Sequence, residues 1–144
     1  MSTEMAISEA ARRVVWQRAE QRCEYCKAPA IIGIMMHIDH IEARVRGGSD
    51  EAGNLCLACN FCNSHKYTAQ ASPDPITGQI VSLFNPRTQT WSDHFTWDEN
   101  SILIIGLTEI GRATIERLQL NTKEWQISRA LWVKAGVHPP PENH

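Results

Sequence analysis

Apolar positions recur at helical spacing near the start of the chain. Ala11, Val14, Val15 and Ala19 fall on one stripe, Ser8 is placed to cap and Glu9 suits the positive helix end, so the pattern predicts a helix over 8–22. The pattern then changes. Residues 31–41 are rich in β-branched and apolar side chains, interrupted by Gly33, and predict strand. Leu55-Cys56-Leu57 is a short apolar step that suits a second strand. Between them, Gly47-Gly48-Ser49-Asp50 and Gly53-Asn54 mark 42–53 as loop, and a short helix is expected over 59–66. The turn-rich stretch 72–78 divides the chain into 1–71 and a C-terminal extension, 72–144. In the extension, 79–84 and 101–107 read as strands, with Trp91, Phe95 and Trp97 as packing residues between them. Thr108 begins a helix to about Leu118, and Asn121 or Thr122 caps another through Ala135. On that last helix Trp125, Ser128 or Arg129, and Trp132 share a core face. Residues 139–144 read as a frayed tail. The predicted class is α+β: a small strand–loop–strand–helix core with a helix before it and an α/β extension after it.

Composition adds bounds. The 144 residues are 42% hydrophobic and 21% charged, ordinary for a globular chain. No stretch of about eighteen apolar residues predicts a membrane span. The opening Met1-Ser2-Thr3-Glu4-Met5 has no secretory character. A cytoplasmic protein is expected, in which paired cysteines point to metal rather than to disulfides. A net charge of −2 lacks the basic excess usual in proteins that grip nucleic acid through phosphates. Arg12, Arg13, Arg18 and Arg22 form a local basic run that suits a solvated helix face as well as a phosphate track.

The cysteines carry the strongest signal. Cys23/Cys26 and Cys59/Cys62 are two C-x-x-C pairs, the spacing at which consecutive thiolates reach one tetrahedral zinc. The 32 residues between the pairs exceed a zinc ribbon, so that segment should carry structure of its own. Cys56 also forms a C-x-x-C with Cys59; between apolar Leu55 and Leu57 it is expected to pack as a small buried hydrophobe.

Inside that gap lies His37-Ile38-Asp39-His40-Ile41. Strand alternation sends Asp39 and His40 to opposite faces unless the strand twists or ends there. Hydrolysis of a phosphodiester at neutral pH needs a base for water and a cation for the developing charge. His40 has the intrinsic acidity for the first, and Asp39 and Asn63 are oxygen donors suited to a hard cation. On spacing alone, an ordinary polar pair at a strand end fits equally well.

Taken together, Cys23-Glu24-Tyr25-Cys26, Asp39-His40-Ile41, Gly47-Gly48-Ser49-Asp50, Asn54-Leu55 and Cys59-x-x-Cys62-Asn63-x-x-Lys66 resemble the zinc-bearing branch of the HNH endonuclease family. The chain departs from it at Glu42-Ala43, where an Ile-Pro often stands in the order after the histidine, and at Tyr67, where glycine often follows the lysine. More loosely, Asp74-Pro75, Leu83-Phe84-Asn85-Pro86-Arg87, His94-Phe95 and Gly111-Arg112-Ala113 resemble an extension found on stand-alone bacterial members. The resemblance implies a ββα-metal core cleaving DNA, with Zn²⁺ structural and Mg²⁺ or Mn²⁺ catalytic. It implies His40 as general base, Asp39 and Asn63 as ligands of the catalytic cation, and Asn54 as the loop residue that orients His40 by hydrogen bonding. Cys23, Cys26, Cys59 and Cys62 would hold the zinc, and Arg44, Arg46 and Lys66 would contact phosphates. The competing expectation is a zinc-stabilised nucleic-acid-binding module with little or no cleavage. A thiol redox or metal-buffering protein would leave Asp39, His40, Asn54 and Asn63 unexplained.

Overall fold

The computed structural model describes residues 7–141. Helix α1, Glu9–Arg18, starts as expected: Ser8 is extended and its hydroxyl accepts from the Ala11 amide. It ends four residues before the predicted 22. Glu20 and Gln21 adopt positive φ, and Arg22 bridges to Pro29, turning the chain into the first cysteine pair. The buried stripe is Ala11, Val15 and Ala19 with Trp16; Val14, expected to face inward, is exposed.

Strand β1, Met36–His40, pairs antiparallel with β2, Leu55–Cys59, and α2, Asn60–Lys66, follows directly. Asp39 lies opposite Cys56, and His40 opposite Leu55. The predicted strand over 31–41 is therefore shortened: its first part forms a 3-10 turn, Ala30–Ile32, ended by Gly33 in the left-handed region. The sheet has two faces and two cores. Ile38, Leu55 and Leu57 pack on α1, each buried aliphatic side chain contributing about 1.5–3 kcal/mol. Cys56 and Ala58 instead join a larger cluster built with the extension.

In the extension, β3 (Ala71–Pro73) and β4 (Ile80–Ser82) form a hairpin around Asp74, whose carboxylate takes both Arg112 donors. The short helix α3, Trp91–His94, leads into β5, Phe95–Trp97, which pairs with β6, Ile104–Gly106. Helices α4, Glu109–Leu118, and α5, Lys123–Ala135, begin at the predicted caps Thr108 and Thr122. Among the described residues the strands thus form three two-stranded sheets rather than a continuous one. The cluster that holds the cysteines also contains Leu83, Phe84, Trp91, Phe95, Ile104, Leu118, Leu120 and Trp125, so one hydrophobic core spans both parts of the chain. Arg129 is fully buried among carbonyls of Ile102 and Leu120 and over the Trp97 and Trp125 rings. The expected frayed tail does not begin at 139: Pro139, Pro140 and Pro141 line a groove with Trp91 and Trp97. Residues 142–144 of that tail lie outside the described ones. Among the described residues no helix is long and apolar enough to cross a membrane.

Candidate metal centre and cleft

The two C-x-x-C turns face each other. The Cys23, Cys26, Cys59 and Cys62 sulfurs all lie within 4.8 Å of one another, and all four residues are buried. Four thiolates about 2.3 Å from one tetrahedral zinc sit about 3.8 Å apart. The Cys26–Cys59 sulfur separation is 3.7 Å. Cys59 is also the cap of α2, its sulfur accepting from the Cys62 amide, and Cys23 does the same for Cys26. Burial opposes ionisation, yet hydrogen bonds from Cys26, Cys59 and Cys62 overcome it and hold the Cys23 thiol well below its usual range. Burial pushes Cys26 up, and contact with the other three thiols pushes Cys62 up. Four buried sulfurs at this spacing are the donor set of a tetrahedral tetrathiolate site, so they fit zinc. Cys56 stands outside it, its sulfur 3.5 Å from the Tyr25 hydroxyl and 3.8 Å from Asp39 Oδ2.

The zinc knuckle is fastened to β2 by Glu24. Its amide donates to Leu57 O at 2.8 Å, and its Oε2 accepts from the Leu57 amide at 2.9 Å. Between the two cysteines of the first pair, Tyr25 is fully buried and its hydroxyl reaches Asp39 Oδ2 at 3.4 Å. The first cysteine turn therefore touches β1.

Asp39, His40 and Asn63 line one cleft of about 680 Å³, with Arg44, Ser64 and Thr68. The strand ends at His40, which lets neighbouring residues border the same cleft, but their partners diverge as alternation requires. Asp39 points inward and pairs with Lys66 Nζ at 3.1 Å. Burial raises its carboxyl, while the Lys66 ammonium and His40 pull it back toward ionisation. Among the described residues its hydrogen bonds and ion pair fall on Oδ2, which leaves Oδ1 for a further partner. The half-buried Asn63 lines the same cleft, so two oxygen donors of the kind a hard divalent cation takes border it.

His40 is buried, and its Nε2 lies 2.7 Å from Asp50 Oδ1. Hydrogen bonds from Arg44 and then His40 hold the Asp50 carboxyl down at about 2. Asp50 is thus the acceptor and His40 Nε2–H the donor of this hydrogen bond. Arg44 grips both Asp50 oxygens, at 2.8 and 2.6 Å. Sequence reasoning took Gly47-Gly48-Ser49-Asp50 as a turn signature and missed Asp50 as the partner of His40. An acidic residue ending a glycine turn shortly after a histidine was the available signal.

Two expected roles need correction. Asn54 makes no hydrogen bond to His40: its amide accepts from the Glu42 amide and donates to Glu42 O and Ser49 O, closing the loop on itself. The loop it closes is the one that carries Asp50. Lys66, expected at phosphates, is 2% exposed and bonds Asp39 and the His40 carbonyl instead. Of the other expected phosphate contacts, Arg44 is committed to Asp50 and Arg46 is exposed. In the N-terminal basic run, Arg18 donates to Ala52 O and Leu55 O, and Arg22 to Lys27 O and Val137 O, so both serve as structural staples. His65 turns back onto the Phe61 carbonyl of its own helix.

Residues 23–69 match the family model described as HNH endonuclease. The same segment contains the ββα arrangement and the four cysteines positioned to bind a metal, consistent with an HNH endonuclease domain of the zinc-bearing kind. Neither the comparison with curated proteins nor that with solved structures returned a match.

Proposed function

We propose that the protein is a metal-dependent endonuclease that hydrolyses phosphodiester bonds of DNA, with His40 as general base. The observation that carries this reading is the His40–Asp50–Arg44 chain at the cleft bordered by Asp39 and Asn63. Asp50 fixes the Nε2–H tautomer, so Nδ1 is the atom that accepts a proton from water. The hydroxide so formed attacks phosphorus in line with the leaving oxygen; the P–O3′ bond breaks, leaving a 5′-phosphate and a 3′-hydroxyl that takes its proton from solvent. Asp39 and Asn63 would hold Mg²⁺ or Mn²⁺, which supplies neutralisation of the charge developing on the phosphate. Zinc at Cys23, Cys26, Cys59 and Cys62 would fix the knuckle, and through Tyr25 the position of Asp39. Arg46 remains available for phosphate contact.

The test is supercoiled plasmid incubated with and without Mg²⁺ or Mn²⁺, using the parental protein and His40→Ala. Parental cleavage that needs the divalent metal, with a loss of roughly a hundred- to ten-thousand-fold in His40→Ala, is the expected outcome. A folded, zinc-loaded His40→Ala protein cutting at the parental rate would end this mechanism. One observation favours a second reading. The Lys66 ammonium beside Asp39 competes with a cation for the carboxylate, as suits a zinc-stabilised nucleic-acid-binding module. Binding of DNA without cleavage under any divalent metal would establish that alternative.

A further inference from the structure

A second polar cleft, also of about 680 Å³, lies where the first zinc knuckle meets the extension. Its charged lining is three cations, Arg18, Lys27 and Arg87, against one carboxylate, Glu24. That carboxylate is fully engaged: Oε1 pairs with Arg87 Nη2, and Oε2 accepts from the Leu57 amide. Among the described residues Arg18 bonds neutral carbonyls, Ala52 O and Leu55 O. Lys27, held by a left-handed backbone, places its ammonium 5.5 Å from the centre of the Trp91 ring, with no carboxylate at ion-pair distance among the described residues. The Arg87 side chain is nine-tenths buried, and its Nε and Nη1 find no acceptor within the described protein. Buried guanidinium donors without acceptors and a positive excess point to an anionic oxygen ligand. The exposed Thr88 sits on the rim.

The position of this cleft suggests which anion. It shares Thr88 and Gln89 with a smaller cleft whose other wall is Ile41 and Lys66, next in chain to His40 and partner of Asp39. The second and third clefts thus adjoin, and Ile41 and Lys66 of the third are respectively the chain neighbour and the ion-pair partner of His40 and Asp39, which line the first. We propose that the Lys27–Arg87–Thr88 cleft binds a backbone phosphate of the nucleic-acid substrate, making the extension part of the substrate track. This inference rests on the endonuclease reading for the identity of its ligand. A single phosphate contact contributes sequence-independent affinity and one released counterion.

The test is binding of a labelled DNA duplex across a salt series, without added divalent metal so that cleavage does not intervene. Parental protein is compared with Lys27→Gln and with Thr88→Glu, which adds a repelling charge at an exposed position and spares the buried pair. Zinc content and melting are checked for both. Expected are affinities weakened roughly ten-fold at low salt, a Lys27→Gln salt slope lower by about one, and the same effect on unrelated sequences. Parental affinity and slope in both folded, zinc-loaded variants would overturn the proposal, as would a parental protein that binds no DNA. If inorganic phosphate raises the parental melting temperature but the variants bind DNA normally, the site takes free phosphate and the track is refuted. Plasmid cleavage is scored separately. Cleavage with unaltered variant binding sinks only this site, whereas weakened variant binding without parental cleavage sinks only the catalytic mechanism.

Discussion

The loop that carries Asp50 to His40 depends on one close backbone approach, and this makes Gly48→Ala a sharp probe of the proposed site. A Cβ at residue 48 would lie 1.8 Å from the Glu42 carbonyl oxygen and 2.9 Å from Asn54 Nδ2. Ordinary carbon–oxygen contact needs more than 3 Å, so backbone must move by more than an ångström. The atoms in the way are those of the Asn54 clamp, which accepts from the Glu42 amide and donates to Glu42 O and Ser49 O. Freeing the clamp releases Asp50 from His40 Nε2, and a misplacement of about 1 Å near reacting groups costs on the order of a hundred-fold in rate. The loop is largely exposed and shares no residue with the cysteine cluster, so zinc content should persist and stability should fall by about 1–3 kcal/mol. Gly47→Ala separates the effects: its φ of +92° disfavours a side chain, but nothing lies within 4 Å, so a loss of about 1 kcal/mol with most activity retained is expected. Gly53→Ala meets neither obstacle and serves as control. Plasmid-cleavage rates, zinc content and urea melts on the three variants decide the matter. A Gly48→Ala protein that cuts as fast as Gly53→Ala would refute the claim that this loop positions the base.

Purified protein should carry one zinc per chain by elemental analysis; Cys62→Ser should lose it and melt early, whereas zinc loss in Cys56→Ser would show that the wrong cysteines had been grouped. Asn63→Ala should cut weakly at low Mg²⁺ or Mn²⁺ and recover part of its rate as the metal is raised; a defect indifferent to metal concentration would remove Asn63 from the cation. Burial between Trp97 and Trp132 pushes His138 down to about 4, against an ordinary value of 6.5. Its Nε2–H donates to Ser101 O, and its Nδ1 is buried without a partner, so the neutral ring is the folded form. Because the folded value is depressed, this contribution is present above pH 6.5 and is lost as pH falls toward about 4, by about 2 kcal/mol after allowance for screening. His138→Phe should flatten that part of the stability–pH curve, and an unchanged curve from pH 6.5 to 4 would contradict this account.

Local chemistry along the chain was enough for the parts whose signals are local. Ser8, Thr108 and Thr122 cap helices because a hydroxyl satisfies an amide three residues away, whatever lies beyond. The C-x-x-C spacing brings two sulfurs to one side of a turn, so the zinc ligands were legible as pairs. The order of Asp39, His40, Asn54 and Asn63 marked the segment that matches the family model. Side-chain partners were not legible, because they depend on what the folded chain brings near. Lys66 looks like a phosphate contact until α2 packs against β1 and delivers its ammonium to Asp39, where a buried carboxylate is a stronger attractor than solvent. Asn54 looks like a direct partner of His40 until the loop closes and uses its whole amide on backbone groups. Asp50 becomes the partner of His40 only because Gly48 allows the loop to fold flat against the Glu42 carbonyl. The extension, read as separate strands and helices, fills the same core as the cysteines because the small ββα unit leaves one face of β2 uncovered without it. Sequence determined which groups were present and how each begins its own element; tertiary packing decided which charges meet, since desolvation penalises a buried charge that finds neither an opposite charge nor hydrogen-bond partners.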